Sequence, residues 1–151
     1  RLRQLTFSNQ AVKHVETIVA GHMRPLLLTA SGGPPSRRAI YRYFQATQTA
    51  GLDIGLLSLA DHLGTYGGPG QDDVWPQLIA VVTRLFAHYF DHHTDTVAPA
   101  PLLDGHDLIR LLHLQPGPEI GRLLRLIQEA QAAGEVHSRE EALALAAQSR
   151  N

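Results

Sequence analysis

The stretch Leu102-Leu103-Asp104-Gly105-His106-Asp107-Leu108-Ile109, followed by Gln115-Pro116-Gly117-Pro118-Glu119-Ile120-Gly121, decides the fold class of this chain. Asp104 is a good N-cap, because its carboxylate can accept from the unpaired N–H groups of a first helical turn. Leu108, Ile109, Leu111 and Leu112 then supply the apolar set of a short helix. Pro116 is expected to end that helix, since a proline pushes the residue before it out of the helical region. Pro118 opens the next one, because a proline at the first helical position loses no hydrogen bond. Ile120, Leu123, Leu124 and Ile127 share a face of this second helix, and Gly134 is placed to terminate it. Ser138, with Glu141 three residues on, predicts a capping box and a third helix.

The same signals recur toward the N-terminus. Ser8 predicts a cap for a helix carrying Val12, Val15, Ile18 and Val19 on one face and ending near Gly21. Pro25 is expected to end any helix there, and Thr29 to Ser36 reads as a loop. Ser36 caps the next helix, which places Arg37, Arg38 and Arg42 near its start and Ile40, Tyr43 and Phe44 on its buried face. Gly51 is expected to break that helix, and Asp53 to cap another running through Leu56, Leu57, Leu59, Ala60, Asp61 and Leu63. Gly64 to Asp73, with four glycines and a proline, reads as a linker. Trp75, Leu78, Ile79, Val82, Leu85, Phe86 and Tyr89 then fall at the spacing of a strongly amphipathic helix. Thr96 to Pro101 is a second break.

Helix formers dominate and no alternating pattern persists, so the class is all-α, a helical bundle array. Three segments are expected: residues 1–66, a linker with a connecting helix over 67–99, and a helical tail over 100–151. Cysteine is absent, which excludes a disulfide framework, a thiolate metal site and a cysteine nucleophile. No apolar run approaches the roughly 20 residues of a membrane span, and no signal-peptide pattern precedes the first helix, so a cytoplasmic protein is expected. The net charge of −1 conceals an asymmetry. Residues 1–66 hold seven Lys/Arg against three Asp/Glu, whereas residues 67–151 hold six against eleven. A nucleic-acid partner would meet the first half more strongly. The chain opens at Arg1 without a methionine, and a piece of something longer is expected.

Four segments carry a resemblance. Leu102 to Ile109, Pro116 to Gly121, Glu129-Ala130-Gln131-Ala132-Ala133-Gly134-Glu135-Val136 and Ser138 to Leu143, in that order, resemble the C-terminal region of the bacterial tRNA nucleotidyltransferase/poly(A) polymerase family, the CCA-adding enzymes and their relatives. Ser8-Asn9, His22-Met23-Arg24-Pro25, Arg37 to Arg42 and Leu56 to Asp61 resemble the latter part of an HD-type helical domain. Members of this family can carry such a domain between the catalytic head and the RNA-binding tail. The resemblance implies that this chain is a non-catalytic C-terminal portion. Its implied job is to hold tRNA, at the elbow or acceptor arm, while an upstream head absent from this chain adds CCA or A. Mg2+, with ATP and CTP as substrates, is implied for the parent family and no cofactor for this chain. In HD phosphohydrolases a His, a His-Asp pair and a later Asp hold the metal. Asp61 matches the later Asp, and the others would precede Arg1.

Each candidate residue has a bland reading beside the functional one. Gly117 to Gly121 offers a phosphate cradle, with outward N–H groups at a positive helix end and Arg122 and Arg125 beside it. Against it, Pro118 removes a donor, Glu119 adds negative charge, and tight packing alone would explain both glycines. Arg37, Arg38 and Arg42, next to Tyr41 and Tyr43, suit phosphate contact or simply a solvated face. Asp61, on or beside a buried face, is either a ligand of a hard divalent cation or a carboxylate paired with His22, Arg24 or a helix end. His88, His92 and His93 with Asp91 and Asp95 form the densest set of metal-ligand types, although Tyr89 stands where a metalloprotease helix has Glu. His106-Asp107 and Gly32-Gly33 imitate an HD pair and a nucleotidyl-transfer turn without their surroundings. No Asp-x-Asp pair exists to hold two metal ions, so no nucleotide transfer is expected of this chain alone. Two rivals stand beside the tRNA-holding reading: a remnant of an HD phosphohydrolase, and a helical interaction or dimerisation module.

Overall fold

The computed structural model describes residues 7–30, 32–67, 70 and 73–150. Among these every regular element is helical, in agreement with the all-α expectation. The helices are α1 (Asn9–Gly21), α2 (Arg24–Thr29), α3 (Arg37–Thr47), α4 (Gly51–Tyr66), α5 (Val74–Asp91), α6 (Gly105–Leu112), α7 (Pro118–Ala133) and α8 (Arg139–Gln148). A 3-10 turn (Gln48–Ala50) joins α3 to α4, and a π-helical turn (His93–Val97) follows α5. Ser31 of the expected loop, and Gly68, Pro69, Gln71 and Asp72 of the expected linker, lie outside the described residues. Two compact units form, one from Arg1–Pro35 with Tyr43–Phe90, the other from Ser36–Arg42 with Asp91–Asn151.

In the first unit, α1 packs on α4 and on the 3-10 turn, and α2 packs on α4. Ile54, Leu78, Val81, Val82, Leu85 and Phe44 are buried there. α4 buries Ile54, Ser58 and His62, a series spaced by four residues that forms a single stripe down the helix. Gly51 does not break a helix. Its φ of −58° and ψ of −39° are helical, and the break comes earlier, where Gln48 takes a φ of +51°. Gly51 is a glycine for space: a Cβ there would stand 2.8 Å from the ring edge of buried Phe44 and 2.9 Å from Thr47 Oγ1. Asp53 accordingly lies inside the first turn of α4 rather than at its cap. Pro25 begins α2 rather than ending a helix, because a missing N–H costs nothing in a first turn. Ser8 caps α1 as expected, accepting from the Ala11 N–H at 3.2 Å. Of the expected apolar face only Val12 is buried, while Val15 and Val19 are 38% and 60% exposed.

The second unit is a set of helical hairpins, with α6 and α8 both packed on α7. Leu103, Leu108, Leu112, Leu123, Ile127, Ala130, Val136, Ala142 and Ala146 form its core. Asp104 and Asp107 exchange hydrogen bonds as a capping box at the start of α6. That helix ends at Leu112, before the proline effect is needed, because His113 adopts a left-handed φ of +52°. Pro118 opens α7, and Gly134, at φ +79°, closes it with the Glu135 N–H donating back to the Ala130 carbonyl. Ser138 caps α8, but the Glu141 carboxylate accepts from the His137 N–H, one residue before the cap. The expected break at Thr96 starts late. Thr96 and Val97 are buried in the π-helical turn, which an i+5 bond from the Ala98 N–H to the His93 carbonyl closes.

Candidate nucleic-acid interface

Within the second unit, the arginines opening α3 meet oxygens of α7 and its neighbourhood. Arg37 donates from Nε to the Ala132 carbonyl (3.0 Å) and from a terminal nitrogen to the Asp95 carbonyl (3.2 Å). Ala132 lies in the last turn of α7, whose carbonyls have no helical partner, so Arg37 acts as a capping donor. Arg38 reaches Glu135 at 2.5 Å and Glu129 at 3.4 Å, and Arg42 reaches Glu129 at 2.5 Å. Arg38 and Arg42 do share a helix face, and one carboxylate lies between them. Tyr41 donates to Gln128 at 3.4 Å, and its phenol is pushed up by burial and then by the Glu129 charge.

The start of α7 differs from the expected cradle. Arg122 forks onto Glu119 at 2.7 and 2.6 Å and also donates to the Ser149 carbonyl, so the carboxylate at the turn is paired locally. Pro118 has no N–H and the Ile120 N–H donates to the Gly117 carbonyl at 3.2 Å, so the turn offers few donors. Tight packing explains neither glycine. An added Cβ would come no closer than 4.0 Å to a neighbour at Gly117, and no closer than 3.5 Å, to Arg125 Nη1, at Gly121. Arg125 lies over Gly121, is exposed, and has no carboxylate partner among the described residues.

Asp107, of the His-Asp dipeptide, holds the unit together. It accepts from the Asp104 N–H at 3.1 Å, from Arg110 at 3.4 Å and from Arg139, which ties α6 to α8. The Arg139 hydrogen bond, then that of the Asp104 backbone, holds its carboxyl below the usual aspartate range.

In the first unit, Asp61 is exposed rather than beside the buried face. One residue is 100° of helix, and His62 takes the place on the stripe. His62 is buried, stacking on Trp75 with centroids 5.7 Å apart and meeting Tyr66 at 4.9 Å. Among the described residues no three His, Asp or Glu side chains converge as a metal site, and no helix is long and apolar enough to cross a membrane. With no Asp-x-Asp pair in the sequence either, the residues present do not fit the two-metal arrangement of nucleotide transfer. A groove of about 610 Å³ runs between α1 and the end of α3, lined by Gln10, Lys13, His14, Thr17, Thr47 and Thr49. At its edge His14 Nε2 meets Asp53 at 2.8 Å. Sequence reasoning missed this groove. The only signal was Lys13, the one lysine in a chain of arginines, directly after the apolar Val12.

Comparison with known proteins follows the same line. The family model described as tRNA nucleotidyltransferase domain 2 matches residues 93–147. A CC-adding tRNA nucleotidyltransferase of Thermus thermophilus is 35% identical over 93% of this chain and 28% of its own length. A CC-adding tRNA nucleotidyltransferase of Synechocystis is 28% identical over 96% of this chain and 31% of its own. An A-adding tRNA nucleotidyltransferase of Deinococcus radiodurans is 30% identical over 95% of this chain and 31% of its own. The chain thus spans less than a third of these relatives, and no solved structure matches it. The resemblance to tRNA nucleotidyltransferases read from the sequence is borne out.

Proposed function

We propose that this chain, related over most of its length to tRNA nucleotidyltransferases, holds tRNA while a separate catalytic head extends the RNA 3′ end. The observation that carries the reading is the 35% identity across 93% of the chain to a CC-adding tRNA nucleotidyltransferase. Two facts support a holding role: the sequence contains no Asp-x-Asp pair of the kind two-metal transfer uses, and exposed cations stand on its helices. The segments proposed are an HD-like part over residues 1–66, a connecting part over 67–99 and an RNA-facing tail over 100–151. Gly117, Gly121 and Arg125 at the start of α7 face phosphate. Arg38, Arg42 and Arg122 are oriented by carboxylates, so phosphate contact by them exchanges one charged partner for another, whereas Arg37 would exchange backbone carbonyls for phosphate.

The test is direct. Fluorescently labelled tRNA lacking its terminal CCA, titrated with the chain at low salt, should bind with a steep salt dependence, and the affinity should be on the order of 10⁻⁴–10⁻⁶ M near physiological salt. Absence of binding at low salt rejects the reading. With ATP, CTP and Mg2+ the chain alone should leave that RNA unextended. A helical interaction module is the second reading, and the observation favouring it lies in the first unit. Val15, Val19 and Met23, spaced by four residues, and Leu27 beyond them are 38–68% exposed.

A further inference from the structure

In the second unit Arg37, Arg38, Arg42, Arg122 and Arg139 are all engaged by oxygens of their own unit. In the first unit Arg84 donates to the Pro35 carbonyl at 2.9 Å, but two other cations differ. Lys13 and Arg24 are exposed and, among the described residues, neither has a carboxylate partner. Both line one continuous trough. Lys13, Thr17 and Thr47 border the 610 Å³ groove and also the adjoining 390 Å³ section in which Arg24 stands. Residues 22 and 23 are near-helical in backbone, so Lys13 and Arg24 are separated by roughly 16 Å at 1.5 Å per residue. That is a spacing of backbone positions along α1 and α2, and two cations set in file along one trough suit successive phosphates of one strand.

The rest of the lining narrows the ligand. Gln10 and Thr49 add neutral polar groups, and the Thr17 hydroxyl donates to the Lys13 carbonyl at 2.9 Å. Among the described lining residues the imidazole of His14, which meets Asp53, is the ring present, with no Phe, Tyr or Trp to act as a stacking platform. Asp53, at the edge, is taken up by His14, which leaves Glu16 as the opposing carboxylate in the lining. Gln48 is held at a φ of +51°, a conformation costly for a residue with a Cβ, with its amide folded onto the Gln45 carbonyl at 2.6 Å. We infer that the trough between α1 and the end of α3 takes the sugar–phosphate backbone of RNA, with Lys13 and Arg24 neutralising two separate phosphates. The inference rests on the tRNA-holding reading and locates in the first unit a contact surface that the α3 arginines do not supply.

The experiment uses the full chain and labelled tRNA lacking CCA. Lys13→Ala with Arg24→Ala, both at exposed sites, should leave helical circular dichroism unchanged and reduce the salt slope of log K by about 1.4–1.8, at roughly 0.7–0.9 per phosphate. Because the chain has no cysteine, Thr49→Cys gives a unique anchor for a photo-crosslinker in the groove, and Thr83→Cys an exposed control on α5 of the same unit, outside the groove lining. Crosslinking to RNA from position 49, lost in the double variant, is the expected result. An unchanged slope in the double variant, or crosslinking no stronger from 49 than from 83, overturns the groove while the wild-type binding leaves the tRNA-holding reading intact. If the unaltered chain binds no RNA at low salt, both fall together.

Discussion

Replacing Gly51 by alanine tests whether space, rather than backbone freedom, fixed that residue. Its backbone is ordinary right-handed helix, so alanine fits the dihedral angles without strain. The new methyl, however, would stand 2.8 Å from two carbons of Phe44 and 2.9 Å from Thr47 Oγ1. Neither can move freely. Phe44 is 3% exposed, packed edge-on against Tyr43 with centroids 5.1 Å apart and tilted against Tyr89 at 5.4 Å. Thr47 is 1% exposed and donates to the Tyr43 carbonyl at 2.8 Å. Overpacking of this kind costs roughly 1–3 kcal/mol. The loss of glycine's unfolded-state freedom returns about 0.5–1 kcal/mol, leaving a net destabilisation on the order of 1–2 kcal/mol. At about 2–4 °C per kcal/mol for a chain of this size, the midpoint should fall by several degrees. Trp75 is the one tryptophan and lies in the first unit, so its fluorescence follows that unit's unfolding specifically. Phe44→Leu removes the ring edge, and the double variant should be more stable than the sum of single effects implies, with coupling of about 0.5 kcal/mol or more. Gly51→Ala as stable as the natural chain, or more so, would refute the reasoning and restore glycine as a simple helix breaker.

Three further expectations concern the second unit. Asp107 has its carboxyl held below its unfolded value near 3.9, so its stabilisation is fully present above that value and is lost as pH falls through the lower folded value. Asp107→Asn should therefore lower stability at neutral pH and flatten the acid limb below about pH 4 in denaturant titrations; an unchanged acid limb counts against the clasp. His113→Gly should raise the unfolding free energy by up to about 1 kcal/mol, because an exposed non-glycine residue at φ +52° is relieved, whereas His113→Val should lower it. Glu129→Gln should free Arg42, while Arg38 keeps its bond to Glu135, and tighten tRNA binding a few-fold at low salt; weaker binding would mean that the carboxylate's orienting role outweighs its competition.

What could be read from the chain, and what could not, divides by the range of the interactions. Asp104, Ser8, Ser36, Ser138, Pro118 and Gly134 act within one helical turn: the side chains of the first four meet the N–H groups that local spacing predicts, while Pro118 opens and Gly134 closes α7 through backbone conformation. Pro25 and Gly51 look like breakers in isolation and are not. Pro25 is harmless in a first turn, and Gly51 answers to a ring seven residues earlier that only tertiary packing brings against it. Asp61 was misplaced by one residue, and 100° of helix is enough to put His62 in the core and Asp61 in water. The arginines of α3 show the same limit more sharply. Their spacing correctly gives a shared face, but the carboxylate that occupies it, Glu129, lies 87 residues on from Arg42. A basic cluster in sequence is therefore a statement about charge available to some partner, and folding had the first claim on it. Lys13 and Arg24 attract less notice in sequence because they stand alone. Among the described residues no carboxylate pairs with either, and their charge stays available to an anion from outside.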